Sequence, residues 1–343
     1  MKAVVVFHGD CDGVIAAGLY IRHFLRDYYP ENIILRFTQP WRAVHDIESV
    51  VKHERSIDEL VIVDLALNAE MVRLLRRLID EIRTNIVLVD HHASSVKMLG
   101  QINGLNKVRV YWDSVQSTPQ VLTKVIRNLN SYEEFLVRIA NVCEGGEDEE
   151  HELQIIADKI KLVLALDPTD SKMFYDTVKS IVEGIEFWND KEFEKRFYRA
   201  KWLLTMLIKT IEKRAKSICG WDIVSFTSAE SLIYAGLFGI AASEYMKRHR
   251  KPLVIIRSES GKKIVITVRS SEGLALELCR AISERINDAF YGGHREAASL
   301  TIYGEMDLDT VRNAVEDAIK DAMCREGPQS TCSKHEGVQD DMQ

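Results

Sequence analysis

Three short apolar runs in the first half of the chain each end in an acidic or imidazole group. Ala3-Val4-Val5-Val6-Phe7 leads into His8-Gly9-Asp10-Cys11-Asp12-Gly13, Leu60-Val61-Ile62-Val63 into Asp64, and Ile86-Val87-Leu88-Val89 into Asp90-His91-His92. Runs this short, apolar throughout and rich in β-branched residues, read as strands buried on both faces. Amphipathic stretches separate them, and strand-helix alternation argues for a parallel sheet covered by helices on both sides. The carboxyl ends of parallel strands lie on one edge, where open α/β sheets place their chemistry. Each Asp taken singly is as readily a helix cap or a turn residue, and for Asp64 alone that is the better reading. Three coincident strand ends weaken it.

The rest of the first 130 residues follows the same rhythm. Strands are expected at 3–7, 33–37, 60–64, 86–90 and 108–111, and helices at 14–28, 43–53, 69–83 and 118–129. Residues 151–218 read as wholly helical, with a break at Asp167-Pro168-Thr169-Asp170, because the residue before Pro avoids the α region. A second α/β unit follows. Its expected strands are 223–226, 253–257, 263–269 and 299–303, with helices at 231–248, 273–288 and 307–323 and a turn at Ser258-Glu259-Ser260-Gly261-Lys262. The fold class is therefore α/β: a parallel-sheet domain (1–150), a helical connector (151–218), a smaller α/β domain (219–323) and a polar tail (324–343) expected to be disordered.

Composition narrows the function class. No apolar run is long enough to cross a membrane and the N-terminus enters a strand at once, so no membrane partner is expected. The six cysteines are scattered without a CxxC pair and read as reduced thiols of a cytoplasmic protein. Cys324, Cys332 and His335 fit no zinc module. The net charge of −7 argues against a protein that coats long nucleic acid and favours a local basic cleft with a small or single-stranded substrate. Lys195, Arg196, Arg199, Lys201, Lys209, Lys213, Arg214 and Lys216 could track phosphates, but the acidic residues among them make a solvated helix face the simpler reading.

The alternation His8-x-Asp10-x-Asp12 offers one imidazole and two carboxylates to a single point. Hard divalent cations take such ligands, and the imidazole shifts preference from Mg toward Mn, Fe or Zn. In the second half, Tyr291-Gly292-Gly293-His294-Arg295-Glu296-Ala297-Ala298 pairs glycines, which allow close backbone approach and free N–H groups for an anion, with small residues that let the next element pack tightly. Arg269-Ser270-Ser271 stands at an expected strand end, and an Arg fork suits a phosphate.

These motifs, in this order, resemble the DHH phosphoesterase superfamily, in particular its DHH/DHHA1 branch of RecJ-like and NrnA-like nucleases. His8-Gly9-Asp10-Cys11-Asp12-Gly13 is similar to the first motif, Val63-Asp64 to the second, Asp90-His91-His92 to the triplet that names the family, and Ser117-Thr118 to a helix-opening segment downstream. The 291–298 stretch is similar to the glycine-rich motif of DHHA1 domains, with Tyr291 in place of the first Gly. The resemblance implies two metal ions, usually Mn, with Mg or Co as alternatives. His8, Asp10 and Asp64 would hold one and Asp12, Asp64 and His91 the other. It gives His92 a contact with the scissile phosphate or leaving oxygen, and Asp90 the task of orienting an imidazole. It assigns substrate binding to Arg269, Ser270, Gly292, Gly293 and His294, across a cleft from the metals.

One departure stands out. Where the family's fourth motif supplies an Asp to the second metal, this chain has Asn141, in Ile139-Ala140-Asn141-Val142. An amide oxygen is a neutral, weaker ligand. Glu144, Glu147 or Asp148 could take the place, although the acidic segment 144–150 reads more simply as a solvated loop. The resemblance implies a metal-dependent phosphodiesterase that releases nucleoside monophosphates from the end of single-stranded or short oligonucleotides. A phosphatase or phosphodiesterase of a cyclic or linear dinucleotide or of 3′-phosphoadenosine phosphate is the alternative with the same chemistry. A RecJ-like scaffold in a replication or repair complex, with little turnover, is the alternative from another class. A replication or repair protein and a second copy of the chain are the implied partners besides the substrate.

Overall fold

A computed structural model describes residues 2–323 apart from Arg55, Arg83, Asn103, Ser260 and Gly261. The expectations for the 324–343 tail and for the centre of the 258–262 turn lie outside the described residues. The chain divides into two compact units, one of residues 1–203 with 235–237, the other of 204–234 with 238 onward.

The first unit is built on a five-stranded, all-parallel sheet: β1 (Ala3–His8), β2 (Ile33–Thr38), β3 (Glu59–Val63), β4 (Asn85–Asp90) and β5 (Val108–Trp112), in the order β2-β1-β3-β4-β5. Its central strands are apolar at nearly every position because both faces are covered. Ala3, Val5, Phe7, Val61, Val63, Val87 and Val89 face one core, and Val4, Val6, Leu60, Ile62, Ile86 and Leu88 face the other. The second core is closed by α2 (Ala43–His53), α3 (Ala69–Ile82) and α4 (Val96–Ile102).

The first core is closed by α1 (Cys11–Phe24), α5 (Thr118–Leu122), α6 (Ser131–Cys143), α7 (His151–Leu166) and α8 (Ser171–Glu183). Helix α1 is buried from Cys11 to Ile21, which explains its lack of a polar face. It packs on α8 so closely that a Cβ on Gly18 would stand 2.4 Å from Ile181 Cγ2. The expected helix at 118–129 is cut to one turn and a half. After Leu122 the chain turns tightly, Val125 N and Ile126 N both donating to Leu122 O, and Ile126 is carried into the core.

The reduced-thiol reading holds for Cys279, which is free and buried, and is corrected for three others. Cys11 and Cys143 are joined, bridging the first turn of α1 to the last residue of α6, and Cys219 is disulfide-bonded as well. Cysteines 132 positions apart give no spacing signal; the fold sets their Cα atoms 6.2 Å apart.

The uniformly helical reading of 151–218 is also corrected at its end. After α9 (Lys191–Arg214), Lys216–Ile218 forms β6, the edge of the second sheet. That sheet is mixed, in the order β10-β11-β9-β8-β7-β6, with β7 (Trp221–Phe226) parallel to β8 (Leu253–Glu259), and β9 (Lys263–Arg269), β10 (Ala289–Gly293) and β11 (Ala297–Tyr303) joining antiparallel. The helix expected at 231–248 is broken into α10 (Ser228–Tyr234) and α11 (Phe238–His249). Helices α12 (Ala275–Ser283) and α13 (Leu308–Met323) cover an apolar core that includes Ile266, Val268, Leu278, Leu300 and Val315. Much of the basic set on α9 is ion-paired, Arg196 with Asp170 at 2.7 Å and Arg214 with Glu230 at 2.6 Å, as a solvated face would be. No helix among the described residues is long and apolar enough to cross a membrane.

Candidate metal centre

The carboxyl ends of β1, β3 and β4 lie on one edge of the first sheet and bring the three motifs together. Asp10 ends the β1 loop as the cap of α1, its carboxylate accepting from Gly13 N at 3.1 Å. Asp12 sits in the first turn of α1, where the helix dipole favours a carboxylate. Asp64, directly after β3, adopts a left-handed backbone with φ 58°, a conformation Asp tolerates better than most residues. Its N–H donates to Val89 O at 2.8 Å, tying the turn to β4.

Around Asp64 the donors close in. His8 Nδ1 lies 2.8 Å from Asp10 Oδ2 and 3.2 Å from Asp64 Oδ2. His91 Nε2 lies 3.7 Å from both Asp12 Oδ2 and Asp64 Oδ1. His8, Asp10 and Asp64 can converge on one point, as can Asp64, His91 and His92, and also Asp10, Asp12 and Glu144. His8, Asp10 and Asp64 thus form one of these groups, and His91 stands within reach of both Asp12 and Asp64.

A second layer of groups orients these donors. His91 Nδ1 is 3.1 Å from Val115 O; a carbonyl only accepts, so Nδ1 carries the proton and Nε2 is left as an electron-pair donor aimed at the carboxylates. His92 Nδ1 is 2.6 Å from Asp90 Oδ1, and Ser95 Oγ donates to the other oxygen of Asp90. The opening of α5 serves the acids directly: Thr118 N donates to Asp12 Oδ2 at 3.1 Å and Thr118 Oγ1 to Asp64 Oδ1 at 2.7 Å. Sequence reasoning marked Ser117-Thr118 as a helix opening and passed over Ser95. Nothing in a lone Ser or Thr distinguishes such a role.

Asp12 and Asp64 are each only 1% exposed, so burial alone pushes both carboxyls upward, and neighbouring acids, Asp64 and Asp10 for Asp12 and Asp10 for Asp64, push them further. Burial opposes ionisation of Asp10 too, but the His8 imidazole outweighs it and brings the carboxyl down to about 2. Burial would keep His8 neutral, yet Asp10 and Asp64 hold it well above the ordinary imidazole range. For His92, burial is overcome by the Asp90 bond and the Asp64 charge, which raise it to about 9. Although Glu144 is exposed, partial burial of its carboxyl, then the charges of Asp10 and Asp64, lift it to about 7. Carboxylates this close repel one another, and a divalent cation would relieve that repulsion. The donor set, carboxylate oxygens with an imidazole nitrogen, fits divalent ions of the Mn type.

The Asn141 amide oxygen accepts from Ser117 Oγ at 2.6 Å. Asp148 is taken by a forked pair with Arg138, at 2.9 and 2.6 Å, and Glu147 is exposed.

In the second unit, Gly292 and Gly293 form the end of the edge strand β10 rather than a free loop, and with His294 they are exposed. Gly293 has φ 133°, and a Cβ there would stand 2.4 Å from Ala297 O, so the close turn into β11 requires glycine. Residues 295–296 are stitched to the 270–275 segment by Ser270 N–Glu296 O at 2.9 Å and Ala275 N–Arg295 O at 2.8 Å. Arg269 Nε donates to Ser243 Oγ at 3.1 Å, and Ser270 Oγ accepts from the following turn.

Residues 225–321 match the DHHA1 domain family. No curated protein matches the chain in sequence. Among solved structures, the chain is similar to RecJ from Thermus thermophilus in complex with Mn2+, at 16% identity and TM-score 0.62, over 93% of this chain and 52% of that one. It thus spans about half the length of that RecJ. It is also similar to PggH from Vibrio cholerae, a pGpG-specific phosphodiesterase (14% identity, TM-score 0.57, 94% and 99% covered), and to CDC45 from Entamoeba histolytica (9%, 0.60, 93% and 95%).

Proposed function

For a chain with a DHHA1 domain and the fold of RecJ-like DHH/DHHA1 proteins, we propose a metal-dependent phosphodiesterase that hydrolyses single-stranded or short oligonucleotides from an end to nucleoside monophosphates. The observation that carries this reading is the convergence of His8, Asp10, Asp12, Asp64 and His91 on the sheet edge, with Asp64 common to both donor sets. When bound, two divalent ions supply a nucleophile at neutral pH and neutralise the charge that develops on the phosphate.

The chain's own residues do the rest. His8, Asp10 and Asp64 would hold one ion and Asp12, Asp64 and His91 the other. Val115 O fixes the His91 ring so that Nε2 faces the carboxylates. Asp90 and Ser95 hold the His92 ring, whose Nε2 is assigned to a phosphate oxygen or the leaving oxygen. Thr118 keeps the Asp12 and Asp64 carboxylates in place. The Arg269 guanidinium, Ser270, the exposed Gly292-Gly293 backbone and His294 are assigned to the substrate's phosphate or base.

A linear dinucleotide is the second reading, supported by the likeness to a pGpG-specific phosphodiesterase over nearly the whole of both chains. Hydrolysis of 5′-labelled RNA and DNA from dinucleotides to long strands with Mn2+, beside Asp12→Ala, tests both. Stepwise release of mononucleotides that the variant loses is the expected result, and the length at which rate falls separates the two readings. No turnover on any length would overturn them and turn attention to protein partners.

A further inference from the structure

The acidic segment after α6 contains a carboxylate that reaches the site, one helical turn beyond the position where a fourth-motif Asp is expected. Positions 141 and 144 lie on one face of a helix, three residues apart. Asn141 turns its amide oxygen to Ser117 Oγ. Glu144, the C-terminal cap of α6, brings a carboxylate oxygen within 4.8 Å of donor oxygens of both Asp10 and Asp12. Asp148 is engaged with Arg138, and Glu147 joins none of the convergent groups among the described residues.

The backbone that carries Glu144 is fastened on several sides. The Cys11–Cys143 bond ties the residue before Glu144 to the residue between Asp10 and Asp12. Lys161 Nζ donates to Cys143 O at 2.9 Å, Gln116 Nε2 to Glu144 O at 2.7 Å, and Glu144 N to Ala140 O at 3.1 Å. Glu144 is itself exposed, and these bonds hold its backbone beside the acids. The cross-link joins the two segments that bear the acids.

We propose that Glu144 is the carboxylate ligand that completes the second metal position with Asp12, in place of Asn141. The inference rests on the reading above in one respect, that the cluster takes divalent ions.

The test is Mn2+ titration of the full chain, followed by loss of the free-ion EPR signal, for wild type, Glu144→Gln, Glu144→Asp and Glu147→Gln. Urea midpoints in EDTA, read alongside, show that each variant folds. Two bound ions are expected in wild type. Glu144→Gln should weaken the second by at least about 10-fold and leave the first in place. Glu144→Asp should recover part of the loss. Glu147→Gln, with the same change of charge on the exposed loop, should stay within about 2-fold of wild type. Second-ion affinity unchanged in Glu144→Gln, or lowered equally in Glu147→Gln, would overturn the proposal while the phosphodiesterase reading stands. A wild-type chain that binds one ion would overturn it as well, and one that binds none would overturn both.

Discussion

Gly13 lies where a single methyl group should separate the site from the fold. A Cβ built there stands 2.5 Å from His8 O, 3.0 Å from Asp10 Oδ1 and 3.0 Å from Asp64 Oδ2, against the 3.4 Å at which ordinary contact begins. The carbonyl belongs to β1, which is held between β2 and β3 and cannot withdraw. Relief of about 0.9 Å therefore falls on the first turn of α1 and on the two carboxylates. Overpacking of this kind costs about 1–3 kcal/mol, and about 0.5–1 kcal/mol returns because Ala suits a helix better than Gly. Gly13→Ala should thus lose only about 0–2.5 kcal/mol in urea denaturation. A misplacement of this order at a reacting centre costs about 100-fold, so hydrolysis and Mn2+ binding should suffer far more than folding. Gly18→Ala is the matched control. Its Cβ would meet Ile181 Cγ2 at 2.4 Å on the far side of the same helix, so stability should fall by a similar amount with Mn2+ affinity untouched. A Gly13→Ala protein that binds Mn2+ and turns over as wild type does would refute the argument.

Asp46 is buried and accepts from Thr38 Oγ1 at 2.6 Å, Arg36 at 3.0 Å and Arg42 at 3.2 Å, with His45 Nδ1 3.5 Å away. Burial alone would raise its carboxyl, but the Thr38 and Arg36 bonds and the two Arg charges bring it below the usual range. Its contribution is therefore complete above the unfolded value of about 3.9 and is lost as pH falls through the lower folded value. Asp46→Asn should cost on the order of 1–3 kcal/mol at pH 7; urea midpoints should show the gap constant down to about pH 4 and shrinking below it, and a gap that widens in acid would contradict this. Cys143→Ser should lower stability by about 2–4 kcal/mol, because the bond closes a long loop in the unfolded chain; equal urea midpoints for the oxidised wild type and the variant would count against it. Mn2+ at about 100 times its Kd should add about 2.7 kcal/mol to stability, and EDTA should remove it; a melting temperature indifferent to both would mean the cluster holds no ion. His294→Ala should raise KM for an oligonucleotide about 10-fold with a smaller change in kcat, as loss of a binding contact does, and the reverse split would place His294 in the chemistry instead.

What the sequence made legible was what repeats or clusters. The central strands are apolar on both faces, so their runs stand out, and the acids that end them fall on one edge because the strands are parallel. Helix α2 occupies the expected 43–53 because its apolar face has a clean period. The edge strands β6 and β10 were not legible. One is three residues long and the other largely exposed, so neither shows a buried strand's alternation. The left-handed turn at Asp64, the partnership of Thr118 with Asp12 and Asp64, and the Cys11–Cys143 bond depend on residues brought together from far apart in the chain. Asn141 shows the difference most plainly: the sequence marked it as a departure, and only the fold shows its amide turned to Ser117 while a carboxylate one turn later faces the acids.

The central claim is that the cluster around Asp64 cleaves phosphodiesters with divalent ions. It is tested most directly by hydrolysis of a labelled dinucleotide by metal-stripped protein, wild type and Asp64→Asn, with and without added Mn2+. Turnover by wild type only when Mn2+ is restored, and loss of about 100-fold or more in the variant, is the expected result. Turnover that survives stripping, or that Asp64→Asn retains at the wild-type level, would contradict it.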